Sequence, residues 1–158
     1  MYPANDLNLS HETSDTVYFF SHAFDPLNNW SPHQVKLWEK TFPTAEHAFH
    51  YRKFSEIDPA IAQNIIDAPS PWAAMQTERQ HKAKRRPDWQ DVKVGIMEEI
   101  IRAKVAQNED VRICLLATKE KTIVENSPWD DFWGIGENGD GQNTLGKIYM
   151  KIRKELEE

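Results

Sequence analysis

Cysteine is nearly missing from this chain of 158 residues, with Cys114 the single example. One thiol excludes an intramolecular disulfide and any zinc cage built on thiolates. It lies in the apolar run Ile113-Cys114-Leu115-Leu116, where a small core residue is expected. No stretch approaches the ~20 apolar residues that a membrane span requires. Met1-Tyr2-Pro3-Ala4-Asn5-Asp6 lacks the basic and apolar regions of an export signal, so a cytoplasmic location is expected. Positive charge is also scarce: 19 Lys and Arg face 25 Asp and Glu, for a formal net charge of −6. Such a chain is not expected to hold duplex nucleic acid by long-range attraction. The six histidines show no metal-ligand spacing, so neither a metal nor a cofactor is expected.

Glycine is sparse and clustered: five of the six lie between residues 134 and 146. Aromatic residues are plentiful, with 6 Trp, 4 Tyr and 7 Phe. Most aromatics pack in cores. Here, however, Trp30, Trp89, Trp129 and Trp133 stand beside polar or turn-forming neighbours, as in pockets for flat polar ligands. Charge is local as well: residues 79–104 carry eight basic and four acidic side chains. A local anion site there fits the pattern.

The periodicities predict an α+β domain, mostly helical, with a few short strands. Residues 1–15 are polar and expected to be disordered, and 16–158 to form a single domain. Thr16–Phe20 reads as a strand. Thr44 is the N-cap of a helix from Ala45 to about Ser55. Asp58-Pro59 and Ser70-Pro71 open two more, each an N-cap followed by proline at the first helical position. The longest helix runs from Pro87-Asp88 to about Ala106. Val111–Ala117 reads as a buried strand because Ile113–Leu116 is continuously apolar, with Thr122–Val124 its partner. A last helix starts near Asn143-Thr144.

Three stretches can carry chemistry. On the Ala45 helix, Glu46, His50 and Lys53 are spaced i, i+4, i+7 and share one face. That helix is apolar around much of its surface, so these charges need a partner or a purpose. The run Lys82–Arg86 is either a solvated face or a phosphate clamp, with Trp89 following as a stacking surface. The segment Trp129–Asn143 combines two tryptophans, Asp130, Asp131 and a glycine-rich loop running into a helix start. Such a loop suits phosphate held by backbone N–H groups. It matches neither an EF-hand nor a P-loop.

Phe42-Pro43-Thr44-Ala45-Glu46-His47-Ala48-Phe49-His50-Tyr51-Arg52-Lys53-Phe54 resembles a segment of the YbiA/NADAR family. Arg86–Lys93 with Met97, Leu115–Thr118, and Trp133–Gly136 through Gly141–Gly146 to Met150 and Arg153 match the same family in order. Ser21-His22-Ala23-Phe24 departs from it, standing where Ser-Asn-Phe is expected.

The resemblance implies hydrolysis of an N-glycosidic bond on a ribose that carries phosphate. The substrates implied are the ribosylamino-pyrimidine phosphates of riboflavin synthesis or, alternatively, ADP-ribosylated guanine. The partner expected is thus a phosphorylated ribosylamine or an ADP-ribosylated base. Breaking the C1–N bond develops positive charge at C1, which calls for a carboxylate nearby. The candidates are Glu46 and Asp130, with Asp131 in reserve. Lys53 is either a cation tuning Glu46 or a nucleophile forming a Schiff base with the opened sugar. Trp89, Trp129 and Trp133 would stack the base, and Arg86, Gly134, Gly136 and Asn143 would hold substrate. A rival class is a reader that binds such ligands without turnover and needs neither Glu46 nor Lys53.

Overall fold

The structure is a computed structural model and describes residues 9–20 and 25–158. In chain order its elements are β1 (His11–Glu12), β2 (Thr16–Phe19), β3 (Val35–Leu37), β4 (Lys40–Phe42), α1 (Ala45–Arg52), α2 (Pro59–Ile66) and α3 (Pro71–Gln80). A 3-10 turn (Lys82–Lys84), α4 (Trp89–Gln107), α5 (Glu109–Ala117), β5 (Thr122–Glu125) and α6 (Thr144–Glu157) complete it. This is the helix-dominated α+β class expected. Within the span read as a single domain, the chain groups into two compact units. One takes the chain before residue 32 together with residues 109–158, and the other is residues 32–108.

The unit of residues 32–108 is built by local signals. Thr44, Asp58 and Ser70 each accept a backbone N–H of their helix's first turn, from His47, Ile61 and Ala73. Pro59 and Pro71 follow two of these caps, where a missing N–H has no cost. Phe54, Ile61, Ala62, Ile65 and Ala74 pack the helices together. The hairpin of β3 and β4 has no turn signal in the sequence. Trp38 and Glu39 occupy its turn at φ 53° and 61°, the left-handed region that Asn-Gly normally fills. Packing offsets that strain. The Trp38 ring stacks on Tyr51 at 6.2 Å, lies 5.1 Å from the Arg52 guanidinium, and its Nε1–H donates to Glu99 at 3.0 Å.

The other unit holds a three-stranded sheet in the order β1-β2-β5. Part of the N-terminal segment expected to be disordered is ordered: His11 and Glu12 pair antiparallel with Tyr18 and Val17. Stacking of His11 on Tyr18, at 4.5 Å, gives this polar edge strand a side-chain contact. Residues 1–8 and the departure at 21–24 lie outside the described residues. Two further expectations are corrected. Residues 109–117 form helix α5, not a strand: Val111 and Leu115, four apart, are fully buried while Ile113 is 57% exposed. That is helical spacing, hidden within a run too short to separate the two periods. Thr122–Glu125 accordingly pairs elsewhere, in parallel with Thr16–Phe19. Cys114, on α5, is half-buried rather than core. Tyr149 of α6 anchors the core, edge-on to Phe19, its buried hydroxyl donating to the Leu27 carbonyl at 2.8 Å.

Candidate functional site

In the unit of residues 32–108, α1 presents Glu46, His50 and Lys53 on the face that their spacing implies. Nε2–H of His50 donates to Oε1 of Glu46 at 2.7 Å. Lys53, just past the end of α1, is only 5% exposed. Its Nζ lies 4.9 Å from the Phe49 ring centre and 5.3 Å from that of Trp89, two aromatic faces that favour a cation but leave it poorly hydrated. Oε1 of Glu78, from α3, lies 3.4 Å from Nζ. Glu78 is 3% exposed and also takes Nε and Nη2 of Arg85. The turn that carries Arg85 is tied to α1 because the Arg86 N–H donates to the Lys53 carbonyl at 2.8 Å.

These surroundings set the charges. Burial pushes the Lys53 amine down, and Glu78 and Glu46 pull it back only partly, leaving it at about 8 against an ordinary 10.5. Burial alone would raise the Glu78 carboxyl, but Lys53, His50 and Arg85 outweigh it and hold the group below its usual range. His47, beside Glu46 in the sequence, has a structural task. It is buried, with Nδ1 2.8 Å from the Thr44 hydroxyl and Nε2 3.0 Å from the Ala68 carbonyl. Burial lowers its pKa and keeps it neutral, as a cap linking α1 to the end of α2 requires.

Sequence reasoning paired Lys53 with Glu46 and missed Glu78 and Arg85. Two of the basic residues read as a phosphate clamp instead make ion pairs within this unit. Arg85 closes on Glu78, and Arg86 binds Asp88 through two hydrogen bonds of 2.7 and 3.0 Å and approaches Glu56 at 3.4 Å. Trp89 is buried, edge-on to Phe49 at 5.0 Å.

In the other unit, the segment 127–145 is a loop closed on itself. Asp130 Oδ1 accepts the N–H groups of Phe132 and Trp133 at 2.9 and 2.7 Å, an Asx turn that fixes the Trp133 backbone. Trp133 lies edge-on to Phe132 at 4.9 Å. Asp131 is exposed, and its carbonyl accepts from Gln142 N–H. Trp129 is 60% exposed, with its ring 5.5 Å from that of Phe20. Gly136 has φ +71°, a conformation open to glycine. A Cβ on Gly134 would sit 2.8 Å from the Glu125 carbonyl oxygen, so the loop can pack this closely only with glycine there.

The amides leading into α6, where a phosphate cradle was expected, bond within the loop. The N–H groups of Gly141, Gln142, Asn143, Thr144 and Leu145 donate to the carbonyls of Ile135, Asp131, Gly134, Phe132 and Trp133. The start of α6 is therefore already engaged. Asn143 is buried, left-handed at φ 52°, and continues the edge of β5: its Oδ1 accepts from Glu125 N–H and its Nδ2 donates to the Ile123 carbonyl, both at 2.9 Å. Among the described residues no helix is long and apolar enough to cross a membrane.

Comparison with known proteins gives the family and the fold. The sequence model of the NADAR domain matches residues 10–157. The N-glycosidase YbiA of Shigella sonnei is 33% identical over 157 residues, spanning 98% of this chain and 97% of that protein. A riboflavin biosynthesis protein of Vibrio vulnificus is 33% identical over 146 residues, 90% of this chain but only 39% of that longer protein. The NMR structure of YbiA from E. coli superposes with a TM-score of 0.80 at 31% identity, covering 96% of this chain and 90% of that one.

Proposed function

We propose a substrate and a mechanism from one premise: the chain belongs to the NADAR family and is an N-glycosidase, a hydrolase acting on N-glycosyl compounds. The substrate is a phosphorylated ribosylamine of the ribosylamino-pyrimidine type, hydrolysed to free base and ribose 5-phosphate. The name of the Vibrio vulnificus relative supports this choice.

The observation that carries the mechanism is the buried Lys53 amine between Phe49 and Trp89, on one helix face with the Glu46–His50 pair. With its pKa near 8, about one amine in five is neutral at pH 7.4, against about one in a thousand at the ordinary value. A neutral amine is a nucleophile. A ribosylamine opens to an imine between C1 and the base nitrogen. Lys53 Nζ adds to C1, and the C1–N bond to the base breaks with a proton delivered to the departing amine. Water then adds to the Lys53 imine, and ribose 5-phosphate leaves as the aldehyde, restoring the amine. Glu46 exchanges the protons, held in place by His50. Asp130, Gly134, Gly136 and Asn143 serve to build the loop that carries Trp133. Within the unit of residues 32–108, the ring beside Lys53 is Trp89, which serves as the wall of the amine's site. Arg86 remains a phosphate candidate through whatever part of its guanidinium Asp88 leaves open.

Incubation with ribosylamino-pyrimidine phosphates, and separately with ADP-ribosyl-guanine, followed by chromatography of the freed base, tests the substrate. Release from the first supports the proposal. Release from the second alone would replace the substrate and keep the reaction. Binding without release from either would leave a reader.

A further inference from the structure

Two side chains compete for one buried oxygen. Oε1 of Glu78 accepts both Nε and Nη2 of Arg85, while Lys53 Nζ stays 3.4 Å from the same atom. A guanidinium fork matches a carboxylate better than a point-charge ammonium does. Arg85 therefore holds the closer position and Lys53 the looser one. A buried carboxylate with lysine as its sole cation would form a tight pair and fix the amine as ammonium. With Arg85 in place, Glu78 is shared between two cations, and the guanidinium adds its own repulsion of the ammonium.

We propose that Arg85 is a positioning residue for Lys53: by binding Glu78 it withholds that carboxylate from the lysine and leaves the amine free to react uncharged. The charged groups acting on Nζ are Glu46 from its own helix, Glu78 from α3 and Arg85 from the turn before α4, while α4 contributes the Trp89 ring. Arg85 thus belongs to the reaction without touching substrate, and the basic run that looks like a phosphate clamp contains a regulator of the nucleophile. This inference rests on reading Lys53 as the nucleophile.

The test reads the lysine without turnover. Trace acetylation by acetic anhydride across pH, followed by peptide mass spectrometry, gives the midpoint at which Lys53 becomes reactive. Arg85→Gln should raise that midpoint by about one pH unit, because Glu78 then turns its full charge on Lys53. Arg85→Lys keeps a cation beside Glu78 and should restore most of the wild-type midpoint. Glu78→Gln should move it the other way. An unmoved midpoint in Arg85→Gln, or a downward move, overturns the proposal. Because labelling needs no substrate, the two claims fail separately. A moved midpoint with no sugar adduct on Lys53 would leave the charge network standing and remove the nucleophile reading. An adduct on Lys53 with an unmoved midpoint would do the reverse.

Discussion

Replacing Lys53 with methionine should make the protein more stable and inactive. The amine is pushed from an ordinary 10.5 to about 8, chiefly by burial. At about 1.4 kcal/mol per unit, holding the ammonium in the folded state costs about 3 kcal/mol below pH 8. Methionine fills a similar volume between Phe49 and Trp89 without that penalty. Glu78 loses one cation but keeps Arg85, so the net gain at pH 7 should be about 1–2 kcal/mol, or a few degrees in Tm. The pH dependence follows in sign. Between pH 8 and 10.5 the unfolded chain holds a proton on Lys53 that the folded chain has lost. Wild-type stability therefore rises through that window, and the advantage of the methionine variant shrinks towards pH 10. Urea unfolding of both proteins at pH 7 and pH 10 measures this. A loss of 2 kcal/mol or more at pH 7 would identify Lys53–Glu78 as a stabilising ion pair and refute the reasoning.

Other outcomes follow from the same geometry. The kcat/KM of the wild type should rise about tenfold per pH unit up to about pH 8 and then level, since only the neutral amine reacts; a profile flat from pH 6 to 8 would contradict this. Glu46→Gln, which keeps the shape and the contact with His50, should lower turnover roughly 100-fold in a protein with an unchanged circular dichroism spectrum. Asn143→Ala breaks two hydrogen bonds to β5 and puts alanine at φ 52°; thermal unfolding should show a loss of about 2–4 kcal/mol.

Much of this was legible in the residues. The Asp58-Pro59 and Ser70-Pro71 devices place two helix starts because capping chemistry is local. Glu46, His50 and Lys53 fall on one face because helical spacing is also local. What escaped reading depends on distant partners. Nothing in a four-residue apolar run tells that Ile113 faces outward while Leu115 is buried. The β3–β4 turn has no glycine or asparagine because packing of the Trp38 ring, not turn propensity, holds it. Glu78 meets Lys53 across 25 residues of chain, and Arg85, inside a basic run, reads as one more solvated cation until its carboxylate is seen. The glycine-rich loop suggested an anion site by composition, yet the amides of residues 141–145 close on its own carbonyls.

The proposed reaction turns on a covalent bond between Lys53 and the sugar. Sodium borohydride added during turnover of a ribosylamino-pyrimidine phosphate reduces any imine to a stable amine, which peptide mass spectrometry can map. One added reduced pentose phosphate is expected, on Lys53, absent from Lys53→Arg, which keeps the charge but forms no such imine. Turnover with no adduct, or an adduct on another lysine such as Lys93 or Lys147, would contradict it.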